Sequence, residues 1–340
     1  MTSRREGFRA PAEWTQHAAT WVAWPSHADL WQENLSGARQ AVEDLVRAVA
    51  PGETVNVLTP TDESQRVAQA ALSTQRVRFH RIPFGDIWLR DTAPLFLTDD
   101  GGRLASARFA FNGWGGKYIL EDDERVAERI ATLVGGRQFA SPFVLEGGAV
   151  EFDGEGTILT TRQCMLNPNR NGPTGKDTVE AVLRETLGAE KVLWLKEGLK
   201  NDHTDGHVDT IVRFVQAGVV VAMEPDTLDD PNRDVLRSLL EEARTLVDAR
   251  GRKIEVATIP SPGRVVDDEG RVMPASYANF YIGNEAVVVP TYGVRGDDEA
   301  VDAIATLFPG RRAVGVDARA LLAGGGAFHC ITQQQPSGVP

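Results

Sequence analysis

The sequence predicts an α/β fold built from repeated units. An amphipathic helix, a glycine and a short apolar strand follow one another several times along the 340 residues. A chain of this length has room for one large domain or for two ordinary ones. No long linker or change in composition separates the units, so we expect them to form a single domain over residues 1–340.

The elements can be assigned in chain order from the spacing of apolar residues. Helical spacing marks helices at residues 42–49, 126–134, 179–187, 235–246 and 298–307, and strands are expected at 54–58, 192–195, 254–256 and 313–316. Gly188, Gly251 and Gly310 separate three of these helices from the strands that follow. Two further apolar runs, at 218–222 and 286–290, are typical of buried strands.

Composition and charge narrow the class of protein. Hydrophobic content of 42% and charged content of 25% are typical of a soluble globular protein. The net charge of -12 disfavours nucleic-acid binding and is compatible with binding of cationic small molecules. It is also compatible with a homodimer. No apolar run predicts a signal peptide or a membrane span, so a cytoplasmic location with reduced thiols is expected.

Cys330 is the candidate nucleophile. It is one of two cysteines and lies between three glycines and a polar segment, residues 332–335. Its neighbour His329 would face the opposite side if this segment were a strand, so His207 is the better candidate base. Cys164 has apolar neighbours and is interpreted as an inert core thiol.

A cluster of acids and histidines at residues 201–209 supplies that base. If His207 and Asp209 belong to the strand expected from Thr210 onward, alternation places both side chains on one face. A carboxylate beside a histidine orients it for general acid–base catalysis. The alternatives are a metal site, because Asp and His are good ligands, or a structural histidine.

The segment 86–94 carries further charged residues. Read as a strand that Pro94 ends, it places Asp86, Trp88 and Arg90 on one face and Asp91 near the strand end. A functional carboxylate at this position is one interpretation. A surface salt bridge among the charged residues, with the tryptophan in the core, is the other.

Glu146 precedes two glycines, Gly147 and Gly148. Glycine would let the backbone approach the acid closely, although a simple turn explains the same residues. A phosphate-binding loop is a poor interpretation, because the lysine and hydroxyl of that motif are missing.

Taken together, these segments resemble the agmatine deiminases, in the bacterial-type peptidylarginine deiminase group of guanidine-modifying enzymes. The resemblance runs from about residue 21 to 336, and its motifs are residues 21–25, 86–94, 111–118, 145–148, 167–171, 204–209 and 324–335. It implies the pentein α/β propeller, in which ββαβ modules surround a pseudo-fivefold axis. It also implies an enzyme that needs no metal or organic cofactor and acts on a small cationic guanidine.

The resemblance further implies roles for individual residues. Asp91 and Asp209 would hold the guanidinium, Cys330 would attack its carbon, and His207, assisted by Glu146, would transfer protons. The product would be N-carbamoylputrescine plus ammonia, formed from agmatine through a covalent thiouronium. Trp88 and Trp114 match aromatic positions that would wall the substrate channel.

His203 departs from the family pattern. It stands four residues before His207, where the agmatine enzymes usually carry an acid that meets the distal amine. Arginine, peptidylarginine or another guanidine is therefore the alternative substrate. A non-catalytic pentein binding module is the alternative of another class.

Overall fold

The computed structural model describes residues 2–72, 76–225 and 227–339. The strands are β1 (His17–Ala23), β2 (Thr54–Thr59), β3 (Val77–Arg81), β4 (Leu95–Thr98), β5 (Leu104–Ala110), β6 (Arg137–Val144), β7 (Val150–Phe152), β8 (Thr157–Thr161), β9 (Lys191–Leu195), β10 (Val212–Gln216), β11 (Val219–Glu224), β12 (Glu255–Pro260), β13 (Tyr281–Ile282), β14 (Ala286–Thr291), β15 (Arg312–Asp317) and β16 (Gln333–Pro336).

Helices connect these strands on a regular plan. They are α1 (Ala28–Trp31), α2 (Leu35–Val49), α3 (Asp62–Ala71), α4 (Leu89–Thr92), α5 (Gly113–Gly116), α6 (Asp123–Val134), α7 (Arg162–Met165), α8 (Pro168–Asn171), α9 (Lys176–Leu187), α10 (Arg233–Ala243), α11 (Asp297–Leu307) and α12 (Arg319–Gly324). Short 3₁₀ turns lie at Arg4–Glu6, Gln32–Asn34, Gly147–Ala149 and Val208–Thr210.

The strands form small sheets that repeat one ββαβ unit. Strand β4 pairs antiparallel with β5, helix α6 follows, and β6 returns parallel to β5. The same order occurs in β7–β8–α9–β9, in β10–β11–α10–β12 and in β13–β14–α11–β15. A parallel return needs a crossover connection, and in each unit a helix supplies it. The predicted α/β class and its repeated helix–strand pattern are thereby confirmed.

A fifth unit combines segments that are far apart in sequence. Strand β16 pairs antiparallel with β1, placing Gln333 opposite Trp21, and β2 lies parallel to β1 after helix α2. Strand β3 extends this sheet beyond β2. The five sheets therefore share one plan, and the segment that leads into β16 is held by the first strand of the chain.

Apolar side chains explain why the helices pack against the sheets. Along α2, Val42, Leu45, Val46 and Val49 are nearly inaccessible to solvent, as their spacing predicts for one helix face. They belong to the same core cluster as the buried valines of β14. Burying each such side chain contributes roughly 1.5–3 kcal/mol. Among the described residues, no helix is both long and apolar enough to cross a membrane.

A buried network of charges joins several units. Arg213, on β10, donates from Nη2 to Glu13 (2.8 Å) and from Nε to Glu151. Its Nη1 donates to the carbonyl of Phe280 (2.6 Å), just before β13. Glu13 also contacts His329, whose ring nitrogen Nε2 lies 2.8 Å from its carboxylate. All the charged members are buried, so each depends on the others for its electrostatic balance.

The segment 86–90 is not the strand that its alternation suggested. Asp123 Oδ1 accepts the backbone N–H groups of Gly85 (2.8 Å) and Asp86 (3.1 Å), and Asp86 Oδ1 accepts that of Ile87 (2.8 Å). These side-chain bonds replace a strand ladder, and the helical turn α4 follows. The surface salt bridge is also wrong, because Asp86, Arg90 and Asp91 are all buried.

The segments around His207 and Cys330 also depart from the expected strands. The Asp202 carboxylate accepts the backbone N–H groups of Thr204 (2.9 Å), Gly206 (3.1 Å) and His207 (3.2 Å), which folds this segment into a loop. A 3₁₀ turn over 208–210 then carries Asp209. Cys330 lies in a turn before β16, where the Thr332 hydroxyl donates to the carbonyl of Phe328 (2.8 Å).

Candidate active site

A cavity of about 250 Å³ contains Cys330 in its lining. The lining residues are Leu30, Trp31, Asn34, Asp86, Trp88, Asp91, Trp114, Tyr118, Leu120, His203, Thr204, Ala323, Gly324, Gly325 and Cys330. Cys330 and Asp91 are buried, whereas His203 and Tyr118 are exposed, so the cavity leads inward from the latter pair. Its volume suits a small molecule rather than a folded partner.

The repeated fold explains why the reactive residues converge. In each of the five units, the segment just before the first strand contributes one of Asp91, Gly148, Asp209, Asn279 and Cys330. The Gly148 N–H donates to Asp91 Oδ1 (2.9 Å), and the Cys330 N–H donates to Asn279 Oδ1 (3.3 Å). Because the units share one plan, these equivalent segments meet at one end of their strands.

Cys330 lies directly against a carboxylate. Its Sγ is 3.7 Å from Asp209 Oδ2. Burial raises the pKa of this thiol well above its usual range, and the negative charges of Asp209 and Asp91 add to the effect. A cation placed beside the sulfur would offset both carboxylate charges.

Asp91 is oriented by two hydrogen bonds. Besides the Gly148 bond to Oδ1, its Oδ2 accepts the indole N–H of Trp114 at 2.8 Å. Burial raises the pKa of Asp91, against the opposing charge of His207. Trp114 adopts φ 53° and ψ 50°, within a glycine-rich turn that brings its indole over the carboxylate.

Asp209 is held by His329 instead. His329 Nδ1 lies 2.7 Å from Asp209 Oδ2, and its Nε2 lies 2.8 Å from Glu13. Although burial opposes ionisation, the hydrogen bond and charge of His329 lower the pKa of Asp209. Its Oδ1 has no hydrogen-bond partner in the described part of the chain, so this oxygen can accept from a ligand. The histidine beside Cys330 therefore supports Asp209, a role that the sequence did not suggest.

His207 is fully buried behind the cavity and close to two acids. Its Nδ1 is 3.9 Å from Asp91 Oδ1, and its Nε2 is 4.0 Å from Glu146 Oε2. Burial alone would lower its pKa, but the charge of Asp91, contact with Cys164 and the charge of Glu146 raise it well above the usual value. The imidazole is therefore disposed to hold a proton that it can donate.

Glu146 is fixed by an arginine. Arg170 donates from Nε to Glu146 Oε1 at 3.0 Å and from Nη2 to the carbonyl of Thr204 at 2.8 Å. The other oxygen, Oε2, faces His207 and has no closer partner among the described residues. This arginine lies in the motif 167–171, but spacing alone gave no sign of its partner.

Two clusters of described residues bring three possible metal ligands together, namely Glu146, Cys164 and His207, and separately Glu13, Glu151 and His329. In each, an arginine guanidinium already occupies a carboxylate, so the cluster carries a cation of its own. The metal set suggested at 202–209 does not converge. Asp202 accepts backbone N–H groups, and Asp205 pairs with Lys117 and Arg170.

Aromatic side chains form the wall of the cavity. Trp88 and Trp31 lie 6.0 Å apart between ring centroids, and both indoles donate to Asp86, at 2.7 and 3.0 Å. His203 stacks on Tyr118 at 5.8 Å, and its Nδ1 is 3.0 Å from the tyrosine hydroxyl. The sequence-predicted residues Cys330, Asp91, Trp88, Trp114 and His203 line the cavity, while His207, Asp209 and Glu146 lie buried behind it.

Sequence reasoning missed several contributors. Asn279 carried no recognisable motif, and Cys164 was taken for an inert core thiol. The structure confirms that Cys164 is buried, but its sulfur, a ring nitrogen of His207 and a carboxylate oxygen of Glu146 lie within 4.8 Å of one another. Apolar sequence neighbours could not reveal that contact, because it is made across the fold.

Comparison with known proteins agrees with the geometry of the candidate site. The family model described as Porphyromonas-type peptidyl-arginine deiminase matches residues 9–336. The agmatine deiminase of Stutzerimonas stutzeri is 38% identical over 99% of this chain and 97% of its own. That of Ectopseudomonas mendocina is 36% identical over 99% of this chain and 97% of its own.

Solved structures agree. The agmatine deiminase of Enterococcus faecalis superposes with a TM-score of 0.94 at 30% identity, covering 99% of this chain and 98% of that one. Two neighbours of lower identity share the fold alone: the DDAH of Pseudomonas aeruginosa (14% identity, TM-score 0.51) covers 94% of this chain and 99% of its own. An amidinotransferase from Microseira wollei (12%, 0.52) covers 97% of each. The expected pentein α/β fold is thus confirmed, and the chain belongs to the Porphyromonas-type peptidyl-arginine deiminase family.

Proposed function

We propose that this protein hydrolyses a C–N bond of a small guanidine, with agmatine as the preferred substrate and N-carbamoylputrescine and ammonia as products. One observation carries the proposal: a buried thiol, Cys330, lies beside two carboxylates at the inner end of a cavity of small-molecule size. A planar cation fits that arrangement, and relatives named agmatine deiminase cover the whole chain.

Asp91 and Asp209 would bind the guanidinium. Carboxylates accept the paired N–H groups of a guanidinium in a bidentate way. Asp209 Oδ1 has no hydrogen-bond partner among the described residues and can take one such group. Two negative charges also keep the positive charge of the substrate near its central carbon, which favours attack by a nucleophile.

The substrate itself would activate the thiol. In the free protein, burial and the two carboxylates hold Cys330 in its neutral form. The carboxylates repel a thiolate. A guanidinium bound between them carries a positive charge, and its attraction to the sulfur stabilises the thiolate. The thiol proton is then lost to solvent, and the nucleophile forms where and when a cationic substrate is present.

The covalent step replaces one nitrogen of the guanidinium by the sulfur of Cys330, and water then replaces the sulfur. The thiolate forms a C–S bond to the guanidinium carbon, the tetrahedral adduct loses one nitrogen, and His207 protonates that nitrogen so that ammonia leaves. A thiouronium remains on Cys330. His207, now neutral, removes a proton from water, whose oxygen attacks the same carbon. The C–S bond breaks, the proton of the new hydroxyl group passes to the sulfur, and the ureido product and the free thiol result.

A substrate panel with ammonia detection tests this proposal. Agmatine should release ammonia, and Cys330→Ser should abolish release while calorimetry still detects agmatine binding, because the cavity and both carboxylates remain. Ammonia release by Cys330→Ser at the rate of the unaltered protein would refute the covalent route. Binding of agmatine without turnover of any guanidine would instead support a non-catalytic binding module.

A second substrate is favoured by the outer end of the cavity. The carboxylates in its lining are Asp86 and Asp91, whereas His203, on the exposed side, stacks on Tyr118 and brings no negative charge. A guanidine with an uncharged tail would therefore lose no binding energy at the outer end of the cavity. The panel should therefore include arginine and n-butylguanidine, and a higher kcat/KM for either would replace agmatine as the preferred substrate.

Alkylation of Cys330 should show how its charge is controlled. Because its pKa is raised, little thiolate exists at neutral pH, and iodoacetamide should react slowly until the pH exceeds the usual range of a thiol. Asp209→Asn removes one of the raising charges, so it should react faster than the unaltered protein at the same pH. Cys330→Ser gives the background from Cys164, the other cysteine. Slower alkylation in Asp209→Asn would contradict this account.

A further inference from the structure

We propose that Cys164 is a positioning residue for His207, whose imidazole it holds in place by packing its sulfur against the ring. The kinetic part of this inference rests on the proposed function, whereas the contact itself can be tested without turnover. The proposal concerns the one cysteine that the covalent mechanism does not use.

Local structure places Cys164 and His207 beside each other. Cys164 lies in the helical turn α7, which Thr161 caps by accepting the Cys164 backbone N–H at 3.2 Å. The same hydroxyl donates to the carbonyl of Gly206 at 2.6 Å. Since Gly206 immediately precedes His207, one side chain fixes the turn of the thiol and the loop of the imidazole together. Gly206 has φ +88°, a conformation that other residues rarely adopt.

The imidazole needs such a partner. Neither ring nitrogen of His207 has a hydrogen-bond partner among the described residues, although the ring is fully buried. The Cys164 sulfur lies with that ring and Glu146 in a cluster that spans no more than 4.8 Å. Because no hydrogen bond fixes the ring, its orientation depends on the side chains packed around it, and the Cys164 sulfur is one of them.

A thiol suits the task better than an acid would. Burial raises the pKa of Cys164, which therefore stays neutral where it packs against the imidazole. A third carboxylate around His207, beside Asp91 and Glu146, would bind the proton too tightly for release. The sulfur thus orients the ring while leaving proton transfer to the substrate possible.

Two substitutions test the inference kinetically. Cys164→Ala should lower kcat roughly tenfold with KM little changed, a part of the 10²- to 10⁴-fold that general acid–base catalysis contributes. The pH-profile limb that reports His207 should move to lower pH, because an interaction that raises its pKa is lost. Cys164→Ser keeps an acceptor and should recover part of both effects. Ser106→Ala, which removes another buried γ atom on β5, is the matched control and should change neither.

A measurement without turnover separates this inference from the proposed function. In the Cys330→Ser background, NMR titration of the His207 ring should show a lower midpoint after Cys164→Ala. In the same background Cys164 is the sole thiol, so its S–H stretching band should shift when His207 is replaced by glutamine. An unchanged midpoint and an unshifted band would overturn the proposal whether or not the protein deiminates agmatine. Should Cys164→Ala fail to fold, the band alone decides.

Discussion

Replacing Gly148 with alanine is expected to reduce turnover by about 100-fold or more while the protein stays folded. An added Cβ would lie 2.6 Å from His207 Nδ1, 2.9 Å from Asp209 Oδ2 and 3.1 Å from Asp91 Oδ1. Each of these atoms would have to move, and in the proposed mechanism they orient the substrate and transfer its proton. Ammonia release from agmatine, measured on protein with an unchanged circular dichroism spectrum, checks this result.

Gly175→Ala provides the matched control. Gly175 precedes helix α9 without a positive φ, and a Cβ there would meet no atom within 4 Å. Its replacement should leave kcat and KM unchanged. Equal activity in the Gly148 and Gly175 variants would show that the three groups around Gly148 are not held as closely as the structure indicates.

Replacing Arg213 with methionine is expected to lower the free energy of unfolding by about 3–5 kcal/mol, the usual cost of removing one partner of a buried ion pair. The substitution keeps a long side chain but leaves Glu13 and Glu151 buried without their shared cation. It also frees the carbonyls of Phe280 and Ala278, to which the guanidinium donates at 2.6 and 3.2 Å. Urea denaturation followed by fluorescence measures the loss.

Two further variants define the cause of that loss. Arg271→Met removes an exposed arginine that pairs with Asp267, and it should leave the urea midpoint unchanged. Arg213→Lys keeps the charge but not the planar fork, so it should recover only part of the lost stability. A midpoint for Arg213→Met equal to that for Arg271→Met would contradict the role assigned to the buried network.

The sequence predicted the five longest helices and seven of the sixteen strands in the described residues, because the apolar residues of these elements recur with a regular period. Helix α9, for example, ends at Gly188, which adopts φ +73° as a helix-terminating glycine does. The segments around Asp91, His207 and Cys330 were wrongly assigned to strands. In each, side chains such as Asp123, Asp202 and Thr332 bind backbone groups, and those bonds override the alternation.

The candidate site was predictable in its residue types but not in its contacts. Acid, base and nucleophile could be recognised from motifs, and the structure brings Asp91, His207 and Cys330 to one region. Which groups support them could not be read from spacing, because the partners come from other units. His329 was expected to face away from Cys330, and its bond to Asp209 depends on how the fold joins two units.

The pairing of β16 with β1 has a consequence for when the enzyme can work. Ribosomes make Asp91, His207 and Asp209 before Cys330, and the thiol reaches them only after its strand docks on β1, which precedes all of them in the chain. Closing so long a loop delays this contact relative to local ones. A nascent chain therefore carries the carboxylates and the histidine before the proposed nucleophile is in place. A protease cut that releases the segment from Cys330 through β16 would remove the proposed nucleophile while the other four units keep their strands.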